Sequence, residues 1–376
     1  MDNILAGQRP ILRVERKREP LEERLVRAIQ QVGPRNIALL ARMTRAHPET
    51  IRYKVKRQFK KLGLRVHAEV DYRKLGLVPF WGEFSFSPRF GGNTKDVLST
   101  LSRSAYLVYY GKLMPQGSFA CLFAAPQGKR SQHEELLNHM KRTGILDSFT
   151  LSEVVANRVN GMNPQFFDFR SGNWEIDWNE VRRGQGSEMK AGGVASPARV
   201  DLNDALMIKE LQADSLQHLA SIARKVKVPS KTLEYHYRVH VQEQELIPGY
   251  VVRWVHDIES TVAHSVLVTA LTFRNLGSAF GRVQRVVSKI PFLWAEYAYR
   301  DETYLAFLYT PVRETEATLR YLSSEVPDLH RRVEISFVEK REASAFTIPY
   351  EMFRNGWIYD LSKAKAALSK LNRKRA

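Results

Sequence analysis

Apolar positions along this chain follow two rhythms, one helical and one alternating, and the pair occurs twice. In the first helical stretch Leu21, Leu25, Ala28 and Ile29 share one face, and Gly33-Pro34 stops the helix. Asn36 caps a second helix carrying Ile37, Leu40 and Ala41. After a turn at Thr44–His47, Pro48 opens a third helix at the position where proline is tolerated. That helix turns Ile51, Val55, Phe59 and Leu62 inward and ends at Gly63. Leu64–Tyr72 then alternates, which predicts wing strands. Three short helices with a tight turn before the third predict a winged helix-turn-helix.

The period next switches to two. Strand Phe80–Phe86, helix Thr94–Arg103, strands Tyr106–Lys112 and Ser118–Ala124, helix Gln132–Thr143 and strand Phe149–Ala156 follow in turn. The second helical stretch places Leu206, Ile208 and Leu211, then Leu216, Leu219 and Ile222, then Leu233, Tyr237 and Val241 inward, with a wing at Leu246–Trp254. Its alternating stretch predicts strand Ser265–Phe273, helix Ser278–Lys289, strands Leu293–Tyr299 and Tyr304–Tyr309, helix Thr315–Glu325 and strand Val333–Glu339. The order βαββαβ in both predicts a ferredoxin-like sheet with two helices on one face. The open face of each sheet calls for a partner, which the other copy could supply as a built-in pseudo-dimer.

Two local matches support an internal repeat. Arg52-Tyr53-Lys54 aligns with Glu234-Tyr235-His236, and Phe169–Trp174 aligns with Phe353–Trp357, at offsets of about 182–184 residues. The expected fold class is α+β, two tandem units of a winged helix-turn-helix followed by a βαββαβ sandwich. The expected division is a basic arm at 1–20, a first head at 21–76 and a first body with an aromatic extension at 77–182. A Gly- and Ser-rich linker at 183–200 follows, then a second head at 201–258, a second body with its extension at 259–362 and a basic tail at 363–376.

Charge changes the picture. The net charge of +18 favours a polyanionic partner. It is unevenly spread: residues 1–79 hold 19 Lys and Arg against 8 Asp and Glu, whereas residues 201–254 hold 7 of each. No apolar run reaches membrane-helix length, so no membrane partner is expected. The lone cysteine, Cys121, lies in an apolar run and excludes a disulfide framework within one chain.

The third helix of the first head carries the functional expectation. Thr50, Tyr53, Lys54 and Arg57 lie opposite or beside its apolar face, placed to meet base edges in a major groove. Arg42, Arg45, Arg52, Lys56, Lys60 and Lys61 would hold phosphates, with Arg65 and His67 on the wing. In the second head Lys231, His236 and Arg238 are the candidates. There Glu234, His236 and Val239 replace Arg52, Lys54 and Arg57, so weaker DNA binding is expected.

The junction Tyr72-Arg73-Lys74-Leu75-Gly76-Leu77, the βαββαβ order and the hairpin Gly111–Ala124 together resemble the Lrp/AsnC family of transcription regulators. The resemblance implies double-stranded DNA as partner, dimerisation through the sheets, a small-molecule effector and contact with the transcription machinery. It also implies a prokaryotic, most readily archaeal, nucleoid-associated protein of the cytoplasm. The turns Gly117-Ser118-Phe119-Ala120 and Asp301-Glu302-Thr303-Tyr304 depart from the family's Gly-rich, Asp-containing turn, which argues against an amino-acid effector.

Two alternatives remain. The basic arm (Arg9, Arg13, Arg16, Lys17, Arg18) and tail suit an architectural protein that coats DNA. A related branch resembles the siroheme decarboxylases, whose chemistry would want His and Arg facing a large pocket. His236 and His240 have i,i+4 metal-ligand spacing, but spacing reveals no third ligand, so a satisfied or solvated pair is expected. With no phosphate loop or nucleophile elbow, the chain is expected to have no catalytic residues, no cofactor and no metal, and not to be an enzyme.

Overall fold

The computed structural model describes residues 19–90, 92–190, 197–255, 265–326 and 328–373. Most of the expected basic arm, the end of the tail and the middle of the expected linker lie outside them. So do His256 and His264.

Both heads begin with three helices. In the first, Leu21–Val32, Ile37–Thr44 and Pro48–Tyr53 bury Leu25, Ile29, Leu40 and Ile51 against one another. Asn36 accepts from the Leu39 amide as the expected cap. The third helix loosens into a π turn at Lys54–Gln58 before a last α turn at Phe59–Lys61. The second head repeats this with Leu202–Ala213, Leu219–Val226 and Ser230–Tyr235, and its third helix enters a π segment at His236–Gln242. The two π segments start 182 residues apart.

Each wing is a single strand, β1 (Leu64–Glu69) and β8 (Gly249–Trp254). The strands β1 and β8 pair with each other, antiparallel, from Leu64↔Trp254 to Glu69↔Gly249. Period two then sorts the side chains. Leu64, Val66 and Ala68 face the same side as Trp254, Val252 and Tyr250 and pack toward the heads. Arg65, His67 and Glu69 share the opposite side with Arg253 and Val251.

Below this ribbon lie β2 (Leu77–Phe86), β3 (Leu107–Met114), β4 (Phe119–Pro126) and β5 (Leu146–Val159) of the first body. The second body supplies β9 (Val266–Phe273), β10 (Leu293–Tyr299), β11 (Tyr304–Pro311) and β12 (Val333–Ala345). They form one closed barrel in the order β10-β11-β9-β12-β3-β4-β2-β5. Closure, rather than face-to-face stacking of two open sheets, removes every free edge. Two seams make it, β12 with β3 and β5 with β10. Each seam carries an ion pair between residues opposite in register. Arg158 Nε lies 2.7 Å from Glu296, and Lys112 Nζ lies 3.3 Å from Glu339. These seams occupy the edges of the two half-sheets, so the pairing expected between the two bodies is made within the chain.

The cores cross between halves. Head one and the extension around Met162–Val181 pack with the second body, whereas head two and residues Ile348–Leu368 pack with the first. Trp174 is buried among Phe167, Trp254 and Phe292, between the first wing's partner strand and the second body. Trp357 packs against Tyr106 and Phe353 and donates to the Leu75 carbonyl at 2.5 Å. The described part of the expected flexible linker is tied down: the Ser187 amide donates to Ser288 Oγ, and the Ala198 amide to the Lys74 carbonyl.

A fragment of residues 1–200 should therefore not persist as a folded monomer. It would expose β3 and β5 as open edges and half of each core. Light scattering on the purified fragment should show dimers or larger species. A compact monomer with native-like circular dichroism would contradict the crossed packing.

Candidate functional site

The polar side of the wing ribbon roofs a cavity of about 370 Å³ at the barrel mouth. That volume is at the lower end of small-molecule sites. His67, Glu69 and Arg253 come from the roof, and Tyr109, Tyr297 and Trp294 from the walls. Deeper in the barrel Trp81, Tyr109, Tyr297 and Phe307 pack ring against ring, with centroids 5.2–6.3 Å apart. The cavity floor is thus rigid and aromatic.

Arg253 dominates the electrostatics. Its guanidinium lies 5.2 Å from the Trp294 ring centroid. Its Nε is shut off from solvent and has no hydrogen-bond partner among the described residues. Burial lowers its pKa to about 10, which leaves it cationic at neutral pH. A second small chamber of about 70 Å³ shares Arg253 and Trp294 with the first, and the indole N–H groups of Trp174 and Trp294 there are buried without a partner among the described residues. A buried cation and idle N–H donors in one space suit a ligand with anionic or acceptor groups.

The remaining roof groups are tuned by burial. His67 Nδ1 lies 3.1 Å from the Gln212 carbonyl. Desolvation and then the Arg253 charge bring its pKa down to about 4, so it is neutral. A neutral ring whose Nδ1–H donates to that carbonyl presents Nε2 as an acceptor. Burial pushes the Glu69 carboxyl up, with Arg253 opposing. The phenols of Tyr72, Tyr109 and Tyr297 are all pushed up by burial and stay protonated. Tyr109 Oη is buried and unpartnered.

The DNA candidates separate into two groups. Arg42, Arg45, Thr50, Arg52, Tyr53, Lys56, Arg57, Lys60 and Lys61 are exposed on the first head, and Lys231 and Arg238 on the second. Arg52 pairs with Glu49. Others are placed elsewhere. Lys54 is half-buried, 2.6 Å from Glu22. His236 is buried and satisfied by Asp204 rather than placed to meet DNA. His67 and Arg65 lie on the wing face turned toward the barrel, because the ribbon is sandwiched and presents no free wing. Cys121 is buried, with its thiol pushed up, as its apolar setting implies.

Sequence reasoning passed over Glu69, Arg253, Tyr109, Tyr297 and Trp294 as site residues. One signal was present: Arg253 is the single charge in the alternating run Tyr250–Trp254.

Fold and cavity together define a class, paired helix-turn-helix heads over a closed antiparallel barrel with a ligand-sized chamber between. No family model matches the chain, and no curated protein matches it. Among solved structures, the siroheme decarboxylase NirDL aligns along its whole length. In co-complex with an iron-uroporphyrin III analogue it gives a TM-score of 0.54 at 8% identity, covering 94% of this chain and 99% of that one. A second NirDL structure gives 0.53 at 9% identity, covering 94% and 98%. Single-headed regulators match only in part. The leucine response regulatory protein of Mycobacterium tuberculosis covers 36% of this chain and 92% of its own, at 15% identity and a TM-score of 0.28. AsnC of E. coli covers 36% and 90%, at 17% and 0.27. At such identities the likeness is one of fold. The expectation that the chain is not an enzyme is nonetheless overturned, because the fold it shares end to end is an enzyme's.

Buried neutral histidines set an acid limit. His133 is fully buried, with Nδ1 3.0 Å from Tyr359 Oη, and its pKa is lowered to about 4 by burial, as for His67. Below the ordinary value near 6.5 the unfolded chain takes up protons that the folded chain refuses. The stability is full above that value and is lost as pH falls toward 4. For His133 the loss is on the order of 3 kcal/mol. Thermal melts from pH 7 to 4 should show a falling Tm, and His133→Phe should make the slope shallower. An unchanged slope would remove His133 as a cause.

Proposed function

We propose that the chain is an enzyme of siroheme-decarboxylase type, acting on a carboxylate-bearing cyclic tetrapyrrole bound at the barrel mouth. The observation that carries this reading is the buried Arg253 cation in an aromatic cavity under the wing ribbon, its Nε without a hydrogen-bond partner among the described residues. The end-to-end fold likeness supplies the substrate class.

In such a reaction an acetate arm loses carbon dioxide. The C–C bond breaks, its electron pair stays on the arm's carbon, delocalised into the macrocycle, and a proton then adds there. A cation on the reacting carboxylate would stabilise the anion being consumed and slow the step. Arg253 therefore suits a neighbouring, non-reacting carboxylate, which it anchors. Glu69, pushed toward its protonated form, is the proton source nearest in chemistry. Tyr109 and Tyr297 are neutral donors that orient the ring. The test is incubation of the purified chain with siroheme, followed by mass spectrometry for loss of carbon dioxide. Arg253→Gln should weaken binding, read by absorbance titration, by about 10–100-fold, the worth of a charged hydrogen bond. Tetrapyrrole that neither binds nor loses carbon dioxide would overturn the reading.

A second reading, a DNA-binding regulator using the cavity for an effector, is favoured by the exposed cationic face of the first head. Arg57, Tyr53 and Thr50 would then meet bases, with Arg42, Arg45, Lys56, Lys60 and Lys61 on phosphates. Affinity should fall steeply with salt. Arg57→Ala should cost about 1–3 kcal/mol at a preferred site if the guanidinium is bidentate to guanine. Equal affinity of wild type and variant in fluorescence anisotropy would exclude that contact. Equal affinity for all sequences would favour the architectural form of this reading.

A further inference from the structure

Beneath the third helix of each head lies a triangle of side chains, and the two triangles differ in chemistry. In the first head Lys54 Nζ lies 2.6 Å from Glu22 Oε1 and 2.9 Å from Gln58 Oε1. Gln58 Nε2 closes the figure by donating to the same Glu22 oxygen at 3.1 Å. An ammonium ion thus binds the first helix to the third. The positions 182 residues later are Asp204, His236 and His240.

In the second head the ammonium is gone. His236 Nδ1 lies 2.9 Å from Asp204 Oδ1, and His240 Nδ1 lies 2.9 Å from Asp204 Oδ2. Asp201 Oδ1 is 3.7 Å from His236 Nδ1. One ligand atom from each of the four residues falls within 4.8 Å of the others. Asp204 is 0% exposed. The π segment that begins at His236 matters here. Its wider turn brings residues i and i+4 nearly above one another, and the two rings sit 4.7 Å apart.

We propose that Asp204, His236 and His240, with Asp201 as the outer ligand, bind a divalent transition-metal ion of zinc type. Mixed imidazole and carboxylate donors suit zinc better than magnesium or calcium, which prefer oxygen alone. Zinc bonds to nitrogen and oxygen at about 2.0–2.2 Å, so tetrahedral ligands stand about 3.3 Å apart. The 2.9 Å contacts run to the two different oxygens of Asp204 and the four ligand atoms lie within 4.8 Å of one another, so side-chain adjustment brings one oxygen of each carboxylate and both imidazoles to that spacing. Two carboxylates and two neutral imidazoles carry the charge that one divalent cation matches. Exposed Asp201 and half-buried His240 leave a route in. The ion would join the first helix to the third in head two, as the lysine does in head one.

The test uses the full chain, stripped with chelator and titrated with cobalt(II). One equivalent should produce the visible d–d absorption of low-coordinate cobalt, and zinc should displace it. The double variant His236→Lys, His240→Gln rebuilds the triangle of the first head and should keep its fold by circular dichroism. It should lose the absorption and about a hundredfold or more in zinc affinity, beyond the usual effect of outer-shell changes. Zinc should raise the Tm of the wild type and not of the variant. If the wild type gives no more cobalt signal than the double variant, the cluster is a hydrogen-bonded His–Asp–His set and the proposal is overturned. Equal zinc affinity in both proteins would overturn it too.

Discussion

The pairing of two wing strands nearly 190 residues apart in sequence is the constraint on which this molecule depends. A two-stranded ribbon is marginal alone in water. Here it persists because both faces are covered, one by the heads and one by the barrel. Period two does the rest, sending aliphatic residues to the head cores and His67, Glu69 and Arg253 to the cavity. The roof of the site is therefore fixed by the same register that joins the heads, since a slip of one residue would exchange the two faces.

Burial explains the chemistry of that roof. Arg253 faces an aromatic wall, and the nearest carboxylate, Glu69, is itself pushed toward neutrality. Removing water from a charge without pairing it is unfavourable. The fold tolerates this where the ribbon is held on both sides. Such a stored penalty is relieved by a ligand that brings its own negative charge, so structure and proposed use follow from one cause.

Local signals in the sequence were faithful to local structure. The helices of both heads, the cap at Asn36, the π-bearing third helices and nearly all barrel strands follow from periodicity and stop signals. What stayed hidden was long-range. Nothing local distinguishes a wing that pairs within its head from one that pairs with the other head, so Arg65 and His67 were expected at phosphates and lie beneath the ribbon instead. The partner that satisfies His236, Asp204, lies 32 residues away on another helix, so spacing along the third helix gave no sign of it. Arg253 and Tyr297 meet only once the barrel closes, and closure depends on seam pairings that leave no mark in either strand.

One consequence follows from the crossed cores and the single chain. In a symmetric homodimer every residue near the two-fold axis faces its own twin, so the two wings would offer the chamber the same side chains. Fusing two units into one polypeptide breaks that symmetry. The chamber draws on both halves yet holds one Arg253 with a glutamate in the opposing wing, and the two triangles under the heads carry a lysine in one case and paired histidines in the other. Covalent linkage thus gives this architecture polarity: the two sides of the shared chamber differ in chemistry.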